Sequence, residues 1–370
     1  MNWTEERLDQ LLTTPSAGMI EDIAKIKGDI MILGAGGKMG PTLATLAKNA
    51  VKAAGIEKRI IAVSRFSDPF AVKLLHSNDV ETISVDLLAE GAMEKLPDVE
   101  NIIDMAGRKF GTGDDASPTW AMNTSLPTLV TRRFKGANFV VFSTGNVYPM
   151  TSISSGGCTE DVAPSPIGEY AMSSLGRERV FEYGVREYGS KALIYRLNYA
   201  VDLRYGVLYD LAAQILRGDA INLSTPSFNC VWQGYANEVA IRALLCAGSP
   251  VAHLNVTGPE TVSVRYAAEM LGKYLGKTPV FTGTESDMAF LNNASRCMER
   301  FGYPSVGLNE LIRWQAEWLL SGGRILNKPT HFEERAGKFG LTGRFYHEKR
   351  SGSPAVCRHG DPGDSSLPGC

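Results

Sequence analysis

The chain has 370 residues, of which 44% are hydrophobic and 21% charged, and its formal net charge is -2. This length allows a large domain with a second lobe, and the composition is typical of a soluble globular protein. The balanced charge, without a stripe of basic residues, argues against a nucleic-acid partner, and no apolar run is long enough to span a membrane.

The first residues are charged and amphipathic and lack the apolar core of a signal peptide, so a cytoplasmic location is expected. The six cysteines are scattered without a CxxC pair, and none of the five histidines lies in a recognisable site. Neither a disulfide framework nor a metal site is therefore expected.

Residues 1–28 are predicted to form one or two short helices ahead of the main fold. Helical patterns then separate most of a series of apolar strands. Strands that alternate with helices at this spacing predict an α/β fold with a doubly wound parallel sheet (Rossmann) over 29–200, which binds its ligand at the carboxyl ends of the strands. The predicted strands are 30–33, 59–65, 80–86, 101–107, 138–144 and 191–198.

The pattern becomes less regular after residue 200, where helices alternate with short strands. Residues 201–330 are predicted to form a smaller C-terminal α/β lobe that binds the substrate and caps the crevice. Residues 331–370 are rich in Gly, Pro and Ser in their last part and are predicted to be a disordered tail without a catalytic role.

A glycine-rich turn, LGAGGKMG, follows the first predicted strand and precedes a helix. Gly34, Gly37 and Gly40 have the spacing GxxGxxG, which lets the backbone approach a pyrophosphate at a helix N-terminus. Lys38 and Met39 lie within the same turn. A tight turn without a ligand is the alternative.

The second predicted strand ends in Ser64 and Arg65, with no carboxylate at the position that often binds ribose hydroxyls in NAD-binding folds. A hydroxyl followed by a guanidinium suits a 2'-phosphate, so NADP is the expected cofactor and NAD the alternative. Lys38 would add positive charge near the phosphates. The other interpretation of Arg65 and Lys38 is a pair of solvated surface charges.

Five stretches, in order, carry a family resemblance over roughly residues 29–325: GAGGKMG, VDL, MAG, STGNVYP and YAMSS. The chain resembles the extended short-chain dehydrogenases/reductases of the NAD-dependent epimerase/dehydratase type. By this resemblance, further cofactor contacts are expected near the adenine, along the nicotinamide loop and from the helix before the fifth strand. These residues are Asp86, Leu87, Met105, Ala106, Gly107 and Asn123.

The resemblance also implies a catalytic group of hydroxyl residue, tyrosine and lysine. Thr144 matches the hydroxyl position and Tyr170 the general acid/base, but Ser174 stands where the family has its lysine. Ionising an unperturbed tyrosine at pH 7 costs about 4 kcal/mol, which the lysine normally offsets in part. Arg177, Arg108 or Lys109 could supply that charge, although a helix-surface or dimer-contact residue is the preferred interpretation of Arg177.

Two further departures from the family concern the substrate. Gly145 and Asn146 replace the acidic pair of nucleotide-sugar dehydratases, and Val231 lies near the position of an arginine that clamps a pyrophosphate. A sugar or sugar acid is therefore expected rather than a nucleotide sugar, although a nucleotide sugar stays open. Arg204 or Arg196 could bind a carboxylate, and Arg196 could equally be structural.

The expected function is thus that of an NAD(P)-dependent epimerase or oxidoreductase acting on a sugar-like hydroxyl or keto group. The alternative is a catalytically degenerate NAD(P)-binding sensor or regulatory protein. The resemblance also implies a homodimer that pairs through helices near 119–135 and 170–188. The apolar residues on those helices could instead pack on the chain's own sheet.

Overall fold

The computed structural model describes residues 3–109 and 115–338. Seven strands, all paired in parallel, form its main sheet in the order β7-β6-β5-β4-β1-β2-β3. The strands are β1 Ile30–Leu33, β2 Ile60–Ser64, β3 Glu81–Ser84, β4 Asn101–Asp104, β5 Asn138–Thr144, β6 Lys191–Leu197 and β7 Ala252–Val256.

Chain order reverses between β1 and β4, and this is where ligands bind in open α/β sheets. β1 and β4 are buried on both faces, because helices cover both sides of the sheet. The predicted doubly wound fold is confirmed, and β1, β5 and β6 lie within one residue of their predicted ranges.

The helices are mostly those that the periodicity predicts, with one exception. The helical pattern before β5 is a short α-helix, a π-helical turn (Ala121–Ser125) and a second α-helix. The α-helices are α1 Glu5–Thr13, α2 Ala17–Lys25, α3 Gly40–Ala53, α4 Pro69–Ser77, α5 Ser117–Trp120, α6 Leu126–Arg133, α7 Gly168–Tyr188, α8 Val207–Arg217, α9 Gln233–Arg242, α10 Val264–Leu275, α11 Ser295–Phe301 and α12 Leu308–Leu320. Three 3₁₀ turns are Met93–Lys95, Gly145–Val147 and Ala243–Cys246.

Two apolar layers enclose the sheet. One contains residues of α2, α3 and α9, and the other contains residues of α6 and α7. A third core, built mainly from α8, α10 and α12, forms the smaller lobe. Short strands at Thr151–Ser152, Ala200–Val201, Ala220–Asn222, Ser227–Phe228, Val231–Trp232, Val262–Ser263, Val280–Thr282 and Met288–Ala289 complete the two lobes.

The boundary between the lobes differs from the prediction. β7 and α9 fall inside the range 201–330 assigned to the smaller lobe, but β7 pairs with β6 from Ala252↔Leu193 to Val256↔Leu197, and α9 packs on the sheet. The unpaired edge of β6 can form a full parallel ladder with this segment, whereas the smaller lobe has only short strands. The smaller lobe is therefore discontinuous in sequence.

The N-terminal residues form two helices, as predicted, but they are integrated into both lobes. Trp3 packs edge-on against Trp314 and Trp318 in the core of the smaller lobe, and α2 packs in the layer beside α3. The N-terminal segment thus contributes to the cores of both lobes.

The predicted disorder from residue 331 is wrong for residues 331–338. Phe332 is buried against Phe228, and the Glu333 carbonyl accepts a hydrogen bond from Thr225. Burial of this aromatic ring and hydrogen bonds to the rest of the chain stabilise the stretch, although it has no periodic pattern. The rest of the predicted tail, 339–370, lies outside the described residues.

Within the described part of the chain, none of the helices has the length and apolar character needed to cross a lipid bilayer. The same residues contain no group of three or more His, Cys, Asp or Glu side chains arranged to hold a metal ion.

Candidate functional site

Two adjoining cavities open at the carboxyl ends of β1, β4 and β5. The first, of about 320 Å³, is lined by residues that include Thr144, Tyr170, Ser174 and Asn123. The second, of about 240 Å³, is lined by residues that include Ser64, Arg65, Asp86 and Leu87. Both reach Gly34, Gly37, Met105 and Gly107, so together they form one elongated crevice.

The predicted site residues therefore come together. Lys38 and Met39 line the first cavity and Ala106 the second. Gly40 lines neither, because it begins α3 and is buried.

The glycine turn fits a dinucleotide. A Cβ on Gly34 would lie 2.7 Å from the Ala106 backbone, and one on Gly40 would lie 2.4 Å from the Ala35 carbonyl oxygen, so both positions require glycine for close packing. Gly37 is exposed and faces the crevice. No described side chain caps the N-terminus of α3. Its free N–H groups and helix dipole can therefore bind a pyrophosphate.

The adenosine end of the crevice combines opposite charges. The Arg65 guanidinium lies 3.8 Å from the Asp86 carboxylate, and both side chains are well exposed. Ser64 packs so close to Gly36 that a Cβ there would lie 2.6 Å from Ser64 Oγ. This arrangement offers both a guanidinium and a carboxylate to a ribose.

Tyr170 lies in the first turn of α7, facing Thr144 at the end of β5. Burial raises the pKa of Tyr170 above its ordinary value of 10.0, while hydrogen bonding with Thr144, the charge of Arg177 and hydrogen bonding with Ser174 act to lower it. Thr144 is also fixed by the turn that follows, since its Oγ1 accepts a hydrogen bond from the Asn146 N–H at 3.2 Å. Tyr170 is thus a neutral proton donor at pH 7.

Ser174 provides no charge to this group. Its Oγ donates to the Tyr170 carbonyl oxygen one turn earlier at 2.7 Å, a bond that keeps the side chain against its own helix. Ser174 nevertheless lines the cavity, with 2% of its surface exposed.

Asn123 lies in the π-helical turn and is fully buried. Its Oδ1 accepts hydrogen bonds from the Arg108 N–H at 3.0 Å and from Arg177 Nη2 at 2.6 Å, and its Nδ2 donates to Ser173 Oγ at 2.9 Å. π-helical turns frequently occur at functional sites. Here the turn directs Asn123 between the loop after β4 and helix α7.

Arg177 is buried, contrary to the interpretation as a surface or dimer-contact residue, and its guanidinium lines the cavity. Nη1 donates to the Phe142 carbonyl oxygen at 2.7 Å. A Cβ on Gly107 would lie 2.5 Å from Nη2, so a larger residue at 107 would have to displace the guanidinium from this position.

Residues 326–337, here called the C-terminal strap, cover one side of the crevice. Lys38 Nζ donates to the Lys328 carbonyl at 3.0 Å, and Lys109 Nζ donates to the Thr330 carbonyl at 3.1 Å. The strap is also bound to the smaller lobe, because the Thr330 N–H donates to Asp210 Oδ2 at 2.7 Å. Sequence reasoning missed Thr330, although it lines the same cavity as Tyr170.

Burial lowers the pKa of Lys38 to about 7 and that of Lys109 to about 8, and it raises the pKa of Asp210 to about 6. Lys109 Nζ lies 5.6 Å from the centre of the Tyr170 ring. The charges of these two lysines thus depend on pH near neutrality and are sensitive to any anion that enters the cavity.

Two arginines considered for carboxylate binding are structural. Arg204 forms ion pairs with Asp202, Glu5 and Asp9. Arg196 contacts both carboxylate oxygens of Glu178, at 3.0 and 2.6 Å. Neither guanidinium lines the cavity that contains Tyr170.

We expect Glu178→Gln to lower the free energy of unfolding by about 3–5 kcal/mol, because it leaves the buried Arg196 charge uncompensated. Glu178 is fully buried and also accepts a hydrogen bond from Ser143, the neighbour of Thr144. Urea unfolding measures the change. Glu182→Gln, in a partly exposed pair with Arg179 on the same helix, is the control and should cost about 1 kcal/mol or less.

The helices expected to form a dimer contact turn most of their apolar residues inward. Leu126, Val130, Phe181 and Val185 are buried in the layer against the chain's own sheet, whereas Leu129 is 39% exposed. These four buried residues are not available for a dimer contact. The homodimer stays a prediction.

Three features define a dinucleotide-binding protein of the Rossmann type. They are the strand order of the parallel sheet, the uncapped helix N-terminus after the glycine turn, and the crevice where chain order reverses between β1 and β4. Residues 30–217, just over half of the chain, match the model of the NAD dependent epimerase/dehydratase family. The chain belongs to this family, and the predicted family and enzyme class are confirmed.

Solved structures with the same fold include three that illustrate the range of the family. UDP-glucuronic acid 4-epimerase from Bacillus cereus is 20% identical, with a TM-score of 0.64 over 79% of this chain and 99% of that one. UDP-glucose 4-epimerase from Thermotoga maritima is 19% identical, with a TM-score of 0.64 over 80% and 99%. dTDP-glucose 4,6-dehydratase from Bacillus anthracis is 15% identical, with a TM-score of 0.64 over 79% and 96%. A search of the curated proteins finds no match.

Proposed function

We propose that the chain is an NAD-dependent epimerase or oxidoreductase that acts on a hydroxyl or keto group of a sugar or sugar acid. The observation that carries this proposal is the meeting of Tyr170 and Thr144 in a cavity that continues from the glycine turn. A catalytically degenerate cofactor sensor would need neither hydroxyl at that place.

Bound nicotinamide would supply the hydride acceptor and, in the reverse direction, the hydride donor. In oxidation the Tyr170 phenolate would take the proton from the substrate hydroxyl as that carbon becomes a carbonyl, and in reduction the Tyr170 phenol would give its proton to the carbonyl oxygen. Thr144 holds the same oxygen by a hydrogen bond. Epimerisation requires that hydride return to the opposite face of the carbonyl, so no net oxidation occurs.

Water elimination is disfavoured at this site. A Cβ on Gly145 would lie 2.4 Å from Asn292 Oδ1, so an acidic residue at this position would have to displace the Asn292 side chain. Asn146 has a neutral amide at the second position. Oxidation and reduction remain the supported chemistry.

The size of the cavity favours a substrate without a nucleotide. Its volume is about 320 Å³, and the nicotinamide end of the cofactor must share this space. The strap closes one side beside Thr330, and buried Val231 offers no charge to a pyrophosphate. The neighbours from Bacillus cereus and Thermotoga maritima were solved with nucleotide sugars. We take from them a sugar ring as the substrate, without the nucleotide. The positive charges of Lys109 and Lys38 favour a sugar that carries an acidic group.

For the cofactor, we propose NAD over the expected NADP. The predicted preference relied on Ser64 and Arg65, but the Asp86 carboxylate lies 3.8 Å from Arg65. Its charge would repel a 2'-phosphate, whereas its oxygens can accept hydrogen bonds from ribose hydroxyls.

Calorimetric titration with NAD, NADH, NADP and NADPH, after a check for co-purified nucleotide, tests the proposal first. Micromolar affinity for NAD or NADH is the expected result, followed by turnover in a screen of free sugars and sugar acids with their nucleotide derivatives as comparison. Failure to bind any of the four nucleotides would contradict the function.

The raised pKa of Tyr170 predicts opposite pH dependences for the two directions of reaction. Oxidation needs the phenolate, so its kcat/KM should rise about tenfold per pH unit up to the pKa of Tyr170. Reduction needs the phenol, so ionisation of Tyr170 should not lower kcat/KM for reduction at any pH below about 10. Rates in both directions between about pH 6 and 10 check this. A plateau of the oxidation rate near neutral pH would contradict it.

A further inference from the structure

The family's lysine has a physical task that Ser174 cannot perform. Burial alone raises the pKa of Tyr170, and a neutral hydroxyl at 174 opposes that only through a hydrogen bond. A fixed positive charge near the phenol would favour the phenolate far more. Four cationic residues line this cavity, Lys38, Arg108, Lys109 and Arg177. Of these, Arg177 acts on the pKa of Tyr170 and Lys109 lies over its ring.

Arg177 reaches the place that a lysine at 174 would serve. It lies three residues after Ser174 on the same face of α7, and side chains of a helix lean toward its N-terminus. Its guanidinium lines the cavity with Tyr170 and Ser174, and its charge lowers the pKa of the phenol.

The guanidinium is held in place but its charge is not cancelled. Two of its nitrogens donate to the Phe142 carbonyl and to Asn123, both neutral acceptors. The nearby Asp104 carboxylate interacts with Arg177 through charge, yet Arg177 Nε and Asp104 Oδ2 both lack hydrogen-bond partners among residues 3–109 and 115–338. Part of the positive charge thus remains available to Tyr170.

Lys109 is less suited to this task. Burial lowers its pKa to about 8, so its charge is lost before a tyrosine ionises, whereas a guanidinium stays charged at every pH of interest. Its ammonium is also engaged by the Thr330 carbonyl. Tyr199 also interacts with Tyr170, and it would oppose the phenolate if it were itself ionised.

We propose that Arg177 replaces the family's lysine as the positioning cation that stabilises the Tyr170 phenolate, with Asn123 and the Phe142 carbonyl holding it in place. This inference rests on the proposed role of Tyr170 as acid/base. Substitution of Arg177 should therefore impair oxidation more than reduction, because only oxidation starts from the Tyr170 phenolate.

The test follows Tyr170 directly, without cofactor or substrate. In protein labelled with ¹³C at tyrosine Cζ, the resonance of Tyr170 is assigned by its absence in Tyr170→Phe and titrated at high pH. We expect the phenolate-to-phenol ratio at a given pH to fall about tenfold in Arg177→Gln. Arg179→Gln, which removes an exposed arginine two residues away, should leave the ratio unchanged.

Each outcome decides the inference. An unchanged ratio in folded Arg177→Gln would overturn it, and so would a tenfold fall in Lys109→Met with none in Arg177→Gln. Should Arg177→Gln fail to fold, Arg177→Lys replaces it: its lysine loses charge as pH rises, so the ratio should still fall, and a native ratio would overturn the proposal. Since no turnover is measured, an inactive but titrating protein would contradict the proposed function and leave this inference standing.

Discussion

Tyr170→Phe is expected to lower kcat by about 10²–10⁴-fold in both directions, because general acid–base catalysis by a positioned side chain typically contributes this much. The substitution removes one oxygen from a half-buried ring, so the fold and the glycine turn should stay intact. Steady-state rates with the substrate found by screening and calorimetric affinity for NAD measure the two effects separately.

A matched control lies on the same helix. Tyr183 is 53% exposed and does not line the cavity, so Tyr183→Phe should change neither kcat nor cofactor affinity. Thr144→Ala should give a smaller loss than Tyr170→Phe, since it removes one hydrogen bond but not the proton donor. Unchanged turnover in Tyr170→Phe would mean that another group transfers the proton.

The part of the site predictable from sequence is the part encoded by local motifs. Gly34, Gly37 and Gly40 form their turn through contacts with Ala35 and the loop after β4, and a strand–turn–helix pattern specifies this arrangement. Tyr170 and Thr144 could also be predicted, because each lies in a local motif at the end of a strand or the start of a helix. Their meeting follows from the parallel sheet.

Features that depend on distant contacts could not be predicted. The strap reaches the cavity through Thr330, which lies 160 positions after Tyr170 in the sequence. Burial of Arg177 depends on Asn123 and Gly107, on other elements. The edge strand β7 depends on the open side of β6. In each case the local sequence allows several environments, and only tertiary packing decides among them.

The strap and Arg177 both lie at the Tyr170 end of the crevice. Thr330 of the strap and the Arg177 side chain line the same cavity as Tyr170. Under the proposals above, the strap limits the size of the substrate and Arg177 keeps a cation near Tyr170, while the glycine turn binds the cofactor.

Gly37→Asp is expected to weaken NAD binding by at least about 100-fold while leaving the free energy of unfolding nearly unchanged. A Cβ at this position meets only the Gly34 carbonyl oxygen, at 3.4 Å, and Gly37 is exposed, so a side chain fits. The carboxylate would then lie in the phosphate site, where like charges about 5 Å apart repel by about 3 kcal/mol at an intermediate dielectric. Calorimetry and urea unfolding on the same preparation separate binding from stability.

Gly37→Ala is the matched control, because it adds the same Cβ without charge and should retain most of the affinity. A large loss in both variants would indicate that the phosphates contact this backbone too closely for any Cβ, which still places them at the turn. Native affinity for NAD in Gly37→Asp would contradict the pyrophosphate site at the glycine turn. A carboxylate at residue 37 would repel a pyrophosphate bound at the N-terminus of α3.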